Sequence, residues 1–145
     1  MTGSLFVDTN LLVYFRDASE PQKQAVAERW LRFLWQTRRG RIGFQVLSEF
    51  YYTVTRKLDP GLPHEVARED VAGYLAWQPI PVDAAVMREA WAIQHRYRYN
   101  WWDALIIAAA RLTDCRYLLT EDLHADQKID GLRLVDPFAA DPASF

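Results

Sequence analysis

The stretch SLFVDTNLLVYF, residues 4–15, carries the first decision about the fold. Leu5 to Val7 is an apolar run of strand length, and Leu11 to Phe15 is apolar again. Between them stand Asp8, Thr9 and Asn10. The pattern reads as a short buried strand that turns directly into a helix. Asp, Thr and Asn are all good N-cap residues, so helix capping accounts for Asp8 taken by itself. The other reading is that Asp8 is a working acid at the end of a strand, and it gains weight if other acids occupy matching places.

Outward from there, strands and helices alternate. Ser19, Glu20 and Pro21 open a helix that ends near Gly40, with Val26, Trp30, Phe33 and Leu34 on one face. RIGFQ is a short strand candidate. VLSEFYYTVTRKL is a helix with Val46, Leu47, Phe50, Tyr51, Val54 and Leu58 as its apolar stripe, broken by Pro60, Gly61 and Pro63. Residues 64–76 read as a short helix, and PIPV as a strand or extended connection. DAAVMREAWAIQHRYRY is helical, with Val86, Ala90, Ile93 and Tyr97 aligned. NWWDALIIAAARLTD starts at an Asn100 cap and is apolar enough to be a buried helix. RYLLT and LRLV are the last strands. The alternation predicts an α/β fold with a mainly parallel sheet.

The chain has 145 residues, enough for one domain with a real core, so residues 1–145 are expected to form a single domain. A formal net charge of −2 does not advertise a polyanion partner. The single cysteine, Cys115, has no internal disulfide partner and reads as a small core residue in a reducing compartment. No apolar stretch is long enough to span a bilayer, and no signal-peptide pattern opens the chain. The expectation is a cytoplasmic protein with no membrane association.

Three further acids stand where Asp8 would meet them. Asp122 follows YLLT just as Asp8 follows the first strand, and in open α/β sheets ligands bind beyond the carboxyl ends of strands. Asp103 lies in the first turn of the apolar helix, where the helix dipole favours a negative charge. Glu49 lies one turn into its helix, beside the apolar stripe. Each has an ordinary explanation alone: dipole complement for Asp103, solvent face for Glu49, start of a polar loop for Asp122. Converging, they would repel by about 4 kcal/mol per pair at ~4 Å and an effective dielectric of ~20. Something positive should bind there. Oxygen ligands without a cysteine cluster suit a hard cation, Mg²⁺ or Mn²⁺. His64, His95 and His124 lie in separate segments without ligand spacing and read as surface residues.

FVDTN, SEFYYTVTRK, NWWDALIIAAA, LLTEDL and IDGLRLVDPF, in that order, resemble the PIN domain and, within it, the VapC-type toxins. The resemblance spans Leu5 to Phe138. It implies a three-layer α/β/α sandwich and an acidic Mg²⁺ or Mn²⁺ centre at Asp8, Glu49, Asp103 and Asp122. It also implies an endoribonuclease acting on single-stranded or loop RNA (tRNA, rRNA or mRNA), a homodimer, and a small VapB-type antitoxin as partner. DLHADQ departs from the family pattern, where a glycine is common, which touches how Asp122 is held.

The chemistry expected is metal-assisted phosphodiester hydrolysis. Asp8 and Asp103 are expected closest to the metal, with Glu49 and Asp122 orienting water, binding through it or holding a second ion. Thr9, Asn10 and Thr120 would steady the carboxylates. Arg29, Arg32, Arg56, Lys57 and Arg98 are the basic residues expected to reach phosphate, while other arginines serve solubility. Tyr97, Tyr99, Trp101 and Trp102 could stack bases or pack in a core or dimer contact. A haloacid-dehalogenase-type phosphatase would need a second acid at residue 10, which is Asn. A receiver domain would need a phospho-acceptor Asp on a middle strand, and neither RIGFQ nor PIPV offers one. The remaining alternative is a catalytically inactive PIN-like module that binds RNA or protein.

Overall fold

In the computed structural model, which describes residues 3–123 and 126–145, the chain opens with β1 (Ser4–Val7) and α1 (Thr9–Phe15). The helix α2 (Pro21–Thr37) leads to β2 (Gly40–Arg41), then come α3 (Phe44–Arg56) and α4 (His64–Tyr74). A 3₁₀ turn at Leu75–Trp77 precedes α5 (Ala84–Tyr97) and α6 (Trp101–Leu112). The chain finishes with β3 (Cys115–Leu119), β4 (Lys128–Ile129) and β5 (Leu132–Val135).

The five strands form one sheet in the order β2-β1-β3-β5-β4. All pairings are parallel except the β4–β5 ribbon. Successive residues of β1 (Leu5, Phe6, Val7) and β3 (Tyr117, Leu118, Leu119) are all buried. Side chains alternate between the faces of a strand, so both faces are covered by helices, as in a three-layer α/β/α sandwich. That matches the expected fold.

The strand order places the site. From β1 the chain crosses to β2 on one side, and later returns to β3 on the other. The carboxyl edge of the neighbouring strands β1 and β3 is therefore the topological switch point of the sheet, where such folds leave a crevice. In register, Val7 lies opposite Leu119, so Asp8 and Thr120 leave the sheet side by side.

Two short segments differ from the sequence reading. RIGFQ contributes only Arg41 to a strand, and Phe44 and Gln45 already belong to α3. PIPV supplies a single parallel bridge, Ile80 to Gly43. Both are apolar runs too short for periodicity to define. The strand β4 was not foreseen, because Lys128–Ile129 is a strand only through its pairing with Leu132–Arg133.

Candidate active site

Asp8 ends the β1 ladder, its amide donating to the Leu119 carbonyl at 3.1 Å. Its side chain does cap α1: Oδ1 accepts from the Thr9 amide at 2.7 Å. The other oxygen accepts from the Thr120 hydroxyl at 2.8 Å. Asp8 is only 8 % exposed. Burial pushes its carboxyl up to about 6, against the two hydrogen bonds from Thr120 and Thr9 and with help from the charges of Asp122 and Glu49. The capping residue of α1 is thus also a buried acid at the cavity.

The other acids gather around it. Glu49 on α3 accepts from the Thr9 hydroxyl at 2.8 Å and from Gln45 Nε2 at 2.9 Å. Asp103 sits in the first turn of α6, whose N-cap is Asn100 as expected. Asn100 Oδ1 accepts from the Asp103 amide at 2.9 Å, while Asn100 Nδ2 donates to the Asp103 carboxylate at 2.8 Å. The Asp103 carboxyl is raised by burial first, opposed by Asn100, and further raised by Asp122 and Glu49. Asp122 is exposed and held more lightly: Asn10 Nδ2 donates to it at 3.1 Å, and its amide reaches the Thr120 hydroxyl at 3.3 Å. The Thr120 hydroxyl therefore ties Asp8 to the backbone of Asp122.

These side chains line a cavity of about 390 Å³. Among the described residues five acids face it, the four expected and Asp17, and no basic residue does. Among the described residues no three His, Cys, Asp or Glu side chains are already gathered into a coordination shell. Each of the four carboxylates instead takes donors from neighbouring Thr, Asn or Gln. The donor set still fits a hard cation that keeps several waters and takes few carboxylates directly. The side-chain oxygen of Asn10 is buried without a partner beside this cavity, an orphaned acceptor that a cation or its water would satisfy.

The sequence profile of the PIN domain matches residues 5–129. The chain belongs to the PIN-domain family. Two solved structures share the PIN fold at low identity. VapC20 of Mycobacterium tuberculosis, described as a sarcin–ricin loop cleaving toxin, superposes with a TM-score of 0.62 and 22% identity, covering 82% of this chain and 90% of its own. A toxin–antitoxin complex from Klebsiella pneumoniae gives 0.59 and 17%, covering 92% and 98%. No curated protein matches the chain by sequence.

Within this PIN domain, Asp8, Glu49, Asp103 and Asp122 come to one cavity, together with Thr9 and Asn10, and Thr120 stands behind Asp8. The basic candidates separate. Arg29 and Arg32 project from α2, which contributes nothing to the cavity lining, and Arg32 pairs with Glu28 at 2.6 Å. Arg56 and Lys57 lie one turn beyond Thr53, which lines the cavity. Arg98 caps α5 two residues before Asn100. Trp102 is 64% exposed at the cavity wall, whereas Trp101, Tyr97 and Tyr99 pack against the core. His64 and His95 are exposed away from the cavity; His124, and with it part of DLHADQ, lies outside the described residues. Asp17, Tyr14 and Thr53 were missed. Only Thr53 carried a signal, one turn after Glu49 on the same flank of α3.

Proposed function

We propose that this PIN domain is a metal-dependent endoribonuclease of the VapC toxin type, cleaving single-stranded or loop RNA such as tRNA, rRNA or mRNA. The observation that carries the reading is a cavity at the switch point of the sheet that, among the described residues, five acids and no basic residue line. The two structural neighbours, a loop-cleaving toxin and a toxin–antitoxin complex, support it.

Asp8 and Asp103 would hold Mg²⁺ or Mn²⁺, with Glu49 and Asp122 supporting the site. Bound there, the cation supplies polarisation of a phosphate oxygen and acidification of a water. Glu49 would orient the attacking water and take its proton as the new P–O bond forms and the scissile P–O bond breaks, the leaving oxygen taking a proton from solvent, and Gln45 and Thr9 hold the Glu49 carboxylate for that task. Thr120 and Asn10 fix Asp8 and Asp122. Arg56, Lys57 and Arg98 bind flanking phosphates. Trp102 stacks an unpaired base beside the scissile link.

The protein works in the cytoplasm, held in check by a small VapB-type antitoxin, and acts as a homodimer. Exposed Phe44, Leu75 and Val82 line two apolar cavities that share Phe44 and Ser48, a patch of the kind that marks an interface.

The deciding experiment incubates purified protein with a mixed RNA pool in Mg²⁺, Mn²⁺ or EDTA, beside an Asp103→Asn preparation made identically. Cleavage with either metal, absent in EDTA and in the variant, is expected. Binding without cleavage would move the protein to the class of inactive RNA-binding modules. Cleavage that persists in EDTA would remove the metal from the mechanism.

A further inference from the structure

Lys23, in the first turn of α2, lies outside the acid cavity but is bonded to its frame. Its ammonium donates to Glu121 Oε2 at 2.8 Å and to the Tyr14 hydroxyl at 3.2 Å. It also lies 4.6 Å from the centre of the Tyr14 ring and 5.0 Å from that of Phe138, and these two rings meet edge to face at 5.2 Å. One charge therefore joins α1, α2, the segment after β3 and the segment after β5.

Most surface ion pairs hold nothing in place, because two long side chains must be ordered for a small gain. This one differs. The Glu121 side chain is 20% exposed, and the Lys23 ammonium, on a side chain 38% exposed, rests against two aromatic rings. Its place in the chain gives it consequence. Glu121 stands between Thr120, whose hydroxyl bonds Asp8, and Asp122, a wall of the cavity. Asp122 is exposed, its hydrogen bonds within the described residues measure 3.1 and 3.3 Å, and Asp8 and Asp103 set like charge against it. Like charges nearby favour any position of the residue farther from them. Tyr14, itself a cavity wall, is oriented by the same ammonium.

We infer that Lys23 is a positioning residue: by clamping Glu121 and Tyr14 it holds Asp122 at the cavity against the repulsion of the other acids. The inference rests on the metal-dependent reading above for its effect on metal binding, but the clamp itself does not.

Two measurements on the full chain test it. The first is amide hydrogen exchange without metal, comparing parent with Lys23→Met, which keeps the stem and drops the charge. Exchange at Thr120, the bonded amide next to Glu121, should accelerate about tenfold or more while the β1 amides and those of β3 up to Leu119 keep their protection. Unchanged exchange at Thr120, or acceleration equal to that of the strands, overturns the clamp. The second is Mn²⁺ affinity by calorimetry. Lys23→Met should weaken it about tenfold, the low end for partners that orient ligands, yet change nothing further in an Asp122→Asn background. An equal loss in both backgrounds, or none in the Asp122 parent, means that Lys23 does not act through Asp122. Glu121→Gln, which keeps the shape and weakens the pair, repeats both tests if Lys23→Met fails to fold. If the parent binds no Mn²⁺, the proposed function fails and hydrogen exchange alone decides the clamp.

Discussion

At Asp8 one carboxylate is asked to cap a helix, to accept from a buried threonine and to carry a charge out of water. The two hydrogen bonds favour the anion, and burial disfavours it more, which leaves the carboxyl near 6 against an ordinary 3.8. The sign follows from linkage. Below about pH 4 the acid is protonated folded and unfolded, and nothing is lost. Between about pH 4 and 6 the unfolded chain ionises first, so stability falls as pH rises, and above 6 the full cost, on the order of 3 kcal/mol, is present. Asp8→Asn removes that cost but forfeits one acceptor, worth about 1 kcal/mol. In EDTA the variant should therefore be slightly less stable than the parent at pH 4 and more stable at pH 7.5, while cutting no RNA. Urea denaturation across that range checks it; a parent–variant difference that ignores pH would mean that Asp8 is not a strained acid.

The helix α6 sets a similar conflict at the next scale. Its body, Ala104 to Ala110, is buried throughout, and its N-terminus carries the Asn100 cap and Asp103. The dipole favours Asp103 as an anion by roughly 0.3–1 kcal/mol. Glu49 and Asp122 oppose it, and so does partial burial. Asn at 103 keeps the shape and an acceptor for Asn100, and removes one charge from a cavity that has no basic wall. Without metal, Asp103→Asn should melt a few degrees higher than the parent. In excess Mg²⁺ that order should reverse, because the parent gains stabilisation the variant cannot, and cleavage should vanish. Thermal melts in EDTA and in Mg²⁺ read the outcome. A variant that is destabilised in EDTA and still cuts at the parental rate would make Asp103 a helix-capping acid and nothing more.

For the whole molecule the open question is what covers the face carrying Phe44, Leu75 and Val82, each close to half exposed. Apolar cavities of about 390 and 420 Å³ meet at Phe44. If two copies bury this face, the parent should sediment as a dimer at micromolar concentration, with a melting temperature that rises with concentration. Phe44→Glu should then give a folded monomer, because a charge in an apolar interface has no partner. A parent that stays monomeric at every concentration tested would assign the face to another occupant.

The strand–Asp–helix opening, the Asn100 cap with Asp103 behind it, the buried β3 and the mainly parallel α/β plan were all legible in the sequence. Each depends on residues within a turn or two of one another, where spacing and capping chemistry decide. The four acids could be named, but a list of acids does not bring Glu49 beside Asp8. The packing of α3 on α1 does that, at the carboxyl edge where β1 and β3 lie side by side. The same holds for the basic residues: only the placement of α3 and α5 separates Arg56, Lys57 and Arg98 from Arg29 and Arg32. β4 needed its partner to be a strand at all. Lys23 and Glu121, 98 residues apart, carry no shared local pattern, and only packing of α2 against the segment after β3 makes them a pair. Local spacing determined what each segment is; which side chains share a charge, a proton or a cavity was decided by contacts between segments far apart in the chain.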